Sequence, residues 1–184
     1  MIEVVDYDAA WPQRFEGLRA KIWPAVSDIA IAIEHVGSTS VPALAAKPII
    51  DIDVVVPTSP SSMPATIEAL SNIGYVHQGD LGVAGREAFR NVSPDLAPHH
   101  LYVCVEGCTA LRNHLIVRDF LRADPSSARE YGNLKKRLAQ LFPNDIDSYI
   151  AGKTDLLCRI LTHSGLRTEE IAAIRGVNAA ITQP

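Results

Sequence analysis

Asp51 and Asp53 stand two residues apart inside residues 49–56, the run of this sequence richest in β-branched side chains. On a strand, alternate side chains share a face, so the two carboxylates project together while Ile50, Ile52 and Val54 face the opposite layer. Burying unpaired like charges in a central strand costs roughly several kcal/mol. A divalent cation offsets that cost directly, because Mg²⁺ (or Mn²⁺ in its place) is held by one or two carboxylates plus substrate phosphates. Upstream lies the turn Gly37-Ser38-Thr39-Ser40. Glycine lets the backbone approach a ligand, and a helix start presents unpaired N–H groups that favour an anion. The pattern is a metal seat beside a phosphate cradle. The P-loop spacing is absent, as is a G-x-G-x-x-G dinucleotide signature after a strand.

Further residues have suitable chemistry. His100 and Tyr102 alternate with Leu101, Val103 and Val105, which puts His100 on the polar side as a general base or a nucleotide contact. Arg86 and Arg90 flank Ala88 on one face and read equally as a phosphate clamp or as surface ion pairs. Lys47 follows the turn, and Lys135 and Lys153 fall on helical segments where charges ordinarily face solvent. His99 and His100 lack the spacing and the cysteine partners of a zinc site.

These residues need elements to hold them. Residues 7–25 have helical periodicity through Trp11, Phe15, Leu18 and Ile22, with Asp8 as an N-cap and an interruption at Pro24. Residues 29–36 and 49–56 are predicted strands, and Ser40 followed by Pro42 predicts a short helix over residues 41–46. A helix over 64–73 ends at Gly74, and strands follow at 75–78, 86–92 and 99–105. Helices are predicted at 111–122, 126–141 and 145–161, with a further one over 168–174 and a frayed end beyond. The fold class is therefore α+β: a small mixed β-sheet over about 29–108, flanking helices, and a helical half over about 111–163.

Composition excludes several classes. The sequence has 184 residues, 47% of them hydrophobic and 21% charged, which is the profile of a packed domain and not of a disordered chain. Its 17 basic against 21 acidic residues give a net charge of −4, which argues against a broad nucleic-acid footprint. An acidic N-terminus and the lack of a long apolar run argue against a signal peptide and a membrane span, so a cytoplasmic location is expected. The three cysteines, Cys104, Cys108 and Cys158, show neither disulfide-framework nor C-x-x-C spacing and read as buried thiols.

An apolar residue, Gly37-Ser38, residues 39–50 and then Asp51-Ile52-Asp53 resemble the signature of the nucleotidyltransferase superfamily, whose fold is like that of DNA polymerase beta. The wording EHVGSTSVP at 34–42 through AAKPIIDI at 45–52 is similar to the GrpB family within it. Tyr7-Asp8, Trp11-Pro12, the Arg86 to Phe89 strand, RDFLR at 118–122, Tyr131 with Lys135 and Tyr149 with Lys153 extend the likeness over about residues 4–160. Ala43 stands where the family usually has glycine, and residues 164–184 form a C-terminal helical extension beyond a domain of residues 1–163. The resemblance implies binding of a nucleoside triphosphate with Mg²⁺ and transfer of a nucleotidyl group to a small acceptor. It assigns Asp51 and Asp53 to the metal, these two and His100 to catalysis, and Gly37, Ser38, Thr39, Ser40, Lys47, Arg86 and Lys153 to the nucleotide. The superfamily adds a third carboxylate from a later strand. Glu87, Asp80 and Asp95 stand in position for it, while His100 lies where that strand faces the site. Two alternatives stay open: a non-catalytic nucleotide sensor or accessory module of a CoA-pathway kinase, since similar domains occur fused to dephospho-CoA kinase, and a phosphohydrolase.

Overall fold

A strand that alternates isoleucine with aspartate must be covered differently on its two sides. In the computed structural model, which describes residues 1–180 and the side chains of residues 1–176, that strand is β2 (Ile50–Val56). Its neighbours are β1 (Ala32–Val36) and β5 (His99–Val105), followed outward by β4 (Arg86–Asn91) and β3 (Tyr75–His77), in the order β1-β2-β5-β4-β3. Only β2 and β5 run parallel; the other pairs are antiparallel. The described residues also form six α-helices: α1 (Trp11–Val26), α2 (Ser62–Asn72), α3 (Thr109–Ala123), α4 (Pro125–Leu141), α5 (Ile146–His163) and α6 (Thr168–Ala180). The expected α+β class is what the structure has. Residues 181–184, the end of the expected extension, lie outside the described residues. No helix among the described residues is long and apolar enough to cross a membrane.

Ile50, Ile52, Val54 and Val56 form the main core with Leu101 and Val103 of β5, the apolar stripe of α1 (Trp11, Phe15, Leu18, Ile22, Val26) and Leu70 of α2. Burying each such side chain contributes about 1.5–3 kcal/mol. The reverse face carries Asp51, Asp53 and Val55, which pair in register with His100, Tyr102 and Cys104. There α3 closes over the far end through Leu111 against Val55 and Cys104. A separate cluster joins Val41 and Leu44, after the Gly-Ser turn, to Leu121, Tyr131, Leu156 and Ile160 of the helical half.

Two local expectations are corrected. Pro24 does not interrupt α1, which runs on to Val26 with the proline inside it, at the cost of the one bond its missing N–H would give the Ala20 carbonyl. The short helix expected over 41–46 is instead a 3-10 turn at Ser38–Ser40. Gly37 opens that turn at φ 67°, and the Ser40 hydroxyl closes it on the Gly37 carbonyl at 2.6 Å. Pro42 forces the preceding Val41 into an extended conformation (φ −104°, ψ 117°), so no helix can begin there.

Ala43 adopts φ 62°, a left-handed conformation, at an exposed position. That conformation costs an L-residue about 1–2 kcal/mol, against about 0.4–1 kcal/mol of unfolded-chain entropy that a glycine would add. Ala43→Gly is therefore expected to stabilise the protein by about 0.5–1 kcal/mol in urea unfolding. A loss of stability would show that this turn is not strained.

Candidate functional site

The site begins where Gly37 and Asp51 meet. Val36 pairs with Asp51 across β1 and β2, so the chain leaving β1 passes directly over the Asp51 side chain. A β-carbon on Gly37 would lie 2.8 Å from Asp51 Cγ and 2.9 Å from Asp51 Cβ, closer than real contacts allow. Both the left-handed backbone and the close approach thus require glycine here.

Each carboxylate has an imidazole partner. His100 Nδ1 donates to Asp51 Oδ1 at 2.8 Å, half-exposed at the mouth of the site. His114 Nδ1, from α3, donates to Asp53 Oδ2 at 2.7 Å, and Asp53 is completely buried. Burial alone would disfavour the charged form of His114, but the Asp53 carboxylate outweighs it and raises the His114 pKa. Asp53 Oδ1 is buried without a hydrogen-bond partner. An orphaned carboxylate oxygen beside a second carboxylate fits a hard divalent cation such as Mg²⁺, which Asp51 and Asp53 would hold. Among the described residues no group of three or more His, Cys, Asp or Glu side chains could hold a metal ion.

Opposite the carboxylates, the helical half contributes lysines. Lys135 of α4 is 2% exposed and donates from Nζ to Ser38 Oγ at 2.6 Å. Its ammonium lies 4.4 Å from the Tyr131 ring, and Lys153 of α5 lies 4.5 Å from the Tyr149 ring. Burial, with Lys153 nearby, holds Lys135 well below the usual lysine pKa. Burial, with Lys47 nearby, lowers Lys153 to about 8. These groups surround a cavity of about 280 Å³ whose floor is Gly37-Ser38-Thr39 and whose wall includes Asp51 and His100. Three lysines around one small pocket favour a multiply charged anion, and a turn hydroxyl held by a buried lysine supplies an aligned partner.

Of the residues expected at the site, Gly37, Ser38, Thr39, Lys47, Asp51, His100 and Lys153 line this cavity, and Asp53 lies behind it. The Thr39 hydroxyl is already engaged by His35 Nε2 at 3.0 Å, and His35 stacks on Phe15 with ring centroids 4.6 Å apart. Burial lowers the His35 pKa to about 4, so it is a neutral brace. Ser40 does not line the cavity: its hydroxyl closes the turn, and its carbonyl accepts from Arg122 Nη2 at 2.9 Å. Arg118, from the same motif, pairs with Glu34 at 2.7 Å. Arg86 also lies elsewhere, over the Tyr102 ring at 4.5 Å and lining a different cavity.

None of the three carboxylates expected in the third position reaches the site. Glu87 pairs in register with Val103, on the core face of the sheet, and accepts from His77 Nε2 at 2.6 Å. Asp80 accepts from the Gly82 N–H in its own turn, and Asp95 is exposed in the loop before β5. His100 and Tyr102 occupy the β5 positions opposite Asp51 and Asp53. The expectations missed His114, Lys135, Tyr131 and Tyr149 as site groups. One signal was available: Lys135 falls on the same helical stripe as Ala128, Tyr131, Gly132, Leu138 and Ala139, all buried.

A protein-family model described as GrpB protein matches residues 1–163. The UPF0157 protein YqkA of Bacillus subtilis is 37% identical over 154 residues, covering 84% of this chain but 44% of YqkA, so the chain spans less than half of that relative. A dephospho-CoA kinase of Mycolicibacterium paratuberculosis is 26% identical over 177 residues, covering 83% of this chain and 43% of the kinase. Among solved structures, the conserved protein GrpB from Enterococcus faecalis superposes with a TM-score of 0.78 at 34% identity, over 88% of this chain and 96% of that one. The Cid1 poly(U) polymerase bound to MgGTP superposes with a TM-score of 0.53 at 13% identity, over 74% of this chain and 44% of that one, a likeness of fold. The β2 strand with its two aspartates, the Gly37-Ser38 turn packed on it and the match over residues 1–163 lead to one conclusion: this chain belongs to the GrpB family, with the nucleotidyltransferase-like α+β fold.

Proposed function

We propose that this protein binds a nucleoside triphosphate together with Mg²⁺ over the Gly37-Ser38 turn and transfers its nucleotidyl group to a small acceptor. The observation that supports this best is the opposition of charges across one pocket: Asp51 on β2 in its wall, and Lys135 reaching from α4 to Ser38. A Mg²⁺ ion held by Asp51 and Asp53 would supply charge neutralisation at the phosphates. Lys47, Lys135 and Lys153 would hold the phosphate tail, and Ser38 would orient it. His100 already gives Nδ1 to Asp51, which leaves Nε2 to take the acceptor's proton. The acceptor oxygen bonds to the α-phosphorus, the bond to the β-phosphate bridge breaks, and pyrophosphate leaves. With His100 on the strand from which the superfamily adds a carboxylate, a nucleotide sensor is the second reading.

Incubation with labelled nucleoside triphosphates and Mg²⁺ or Mn²⁺, with and without metabolite extract, separates the readings. Label transferred only with extract supports the proposal, hydrolysis without extract makes water the acceptor, and binding without turnover leaves the sensor. In the transfer case His100→Gln is expected to lower turnover by roughly 10²- to 10⁴-fold with little change in affinity.

Calorimetry tests the carboxylates. Asp51→Asn is expected to abolish the Mg²⁺-dependent part of triphosphate binding while leaving the fold intact, since the substitution removes charge without removing volume. Metal-dependent binding equal to wild type would take Asp51 out of the site.

A pH dependence follows from Lys153, which faces Lys47, Lys135, Tyr149 and Asp51. Its pKa of about 8 means the free protein carries this charge below pH 8 and loses it above. Triphosphate affinity is therefore expected to be flat toward neutral pH and to fall as pH rises through about 8, by up to tenfold per unit. Lys153→Met should bind more weakly with the slope removed. An unchanged slope in that variant would assign the titration to another group.

A further inference from the structure

A second cavity, of about 330 Å³, opens beside His114, the partner of Asp53. Its walls are the loop before β4 (Gly82, Val83, Ala84), the first turns of α3 (Thr109, Ala110, Asn113, His114) and Ala173 and Ile174 of α6. Most of this lining is apolar or neutral. The exception is Arg86, whose guanidinium is held flat over Tyr102 at 4.5 Å. Arg86 forms no ion pair among the described residues, and its Nε is buried without a hydrogen-bond partner. The other charges nearby satisfy one another: Glu170 binds both Arg112 and Arg167, which ties α6 to α3. His114 touches the cavity but spends Nδ1 on Asp53.

We propose that this cavity is a second binding site, for a small organic anion with an apolar body whose carboxylate or phosphate pairs with Arg86. The volume falls in the range of small-molecule pockets. A guanidinium that forms no ion pair among the described residues and is immobilised on an aromatic ring offers its fork to an anion with little ordering cost. The apolar walls select against a bare, strongly hydrated ion.

Ligand-observed NMR with benzoate, phenyl phosphate, benzamide and inorganic phosphate tests it on the full chain. At least one of the two aromatic anions is expected to bind about tenfold or more tightly than benzamide or inorganic phosphate, the difference a charge-assisted hydrogen bond makes. Arg86→Gln should erase the preference over benzamide, and Ile174→Trp, which fills the cavity and leaves Arg86 in place, should remove binding of every aromatic probe. Added nucleoside triphosphate should not displace the probe. The proposal is overturned if benzamide binds equally, if the preference survives Arg86→Gln, if triphosphate competes, or if no probe binds at millimolar concentration. Loss of triphosphate binding with the probe still bound would count against the proposed function and not against this site.

Discussion

Asp53 lies in the middle of the sheet with none of its surface exposed, and a carboxylate removed from water costs roughly several kcal/mol unless charge and hydrogen bonds compensate. The arrangement around it meets that demand. His114 must reach Oδ2, so α3 has to cross the polar face of the sheet within one imidazole of β2. Arg118 and Arg122, further along α3, then fall where they bind Glu34 and the Ser40 carbonyl, locking the strand and turn that precede β2. The same strand parity that buries Asp53 sets Asp51 at the mouth of the pocket, where only a glycine can pass over it. A single internal charge thus dictates the path of the chain on both sides of β2.

The pocket also reverses the sign of the molecule locally. A net charge of −4 describes the whole sequence, yet Lys47, Lys135 and Lys153 converge on a cavity of about 280 Å³. Burial penalises their charged forms, and a neighbouring ammonium adds to that, which is why Lys135 and Lys153 both have depressed pKa values. Tyr131 and Tyr149 contribute by placing ring faces against the lysines, a weak attraction that also holds their stems in place.

What could be read from the sequence was what is local. The parity of residues 50–56 fixes which side chains share a face, so the paired aspartates, the apolar layer and the side occupied by His100 follow from spacing alone. The Gly-Ser turn was legible for the same reason, but its form was not: Pro42 and the left-handed Ala43 exclude the helix that Ser40 and Pro42 announce when taken alone. Long-range partners were hidden. Nothing near Lys135 in sequence indicates that Ser38 awaits it, and nothing near Arg86 shows that it serves another cavity than its charge implied. Glu87 was placed by proximity to the right strand, and one residue of parity put it on the wrong face.

The bond from Lys135 to Ser38 spans 97 residues, and the one from His100 to Asp51 spans 49. Folding must therefore close long loops before either contact rewards it, and parallel pairing of β2 with β5 cannot start from a local hairpin. Until the helical half docks, Asp51 and Asp53 face water and no pocket exists. Ligand affinity is consequently a late reporter of folding, gained only after secondary structure and most of the apolar core are in place. Anything that binds only the finished pocket acts on the unfolding rate and leaves the rate of collapse unchanged.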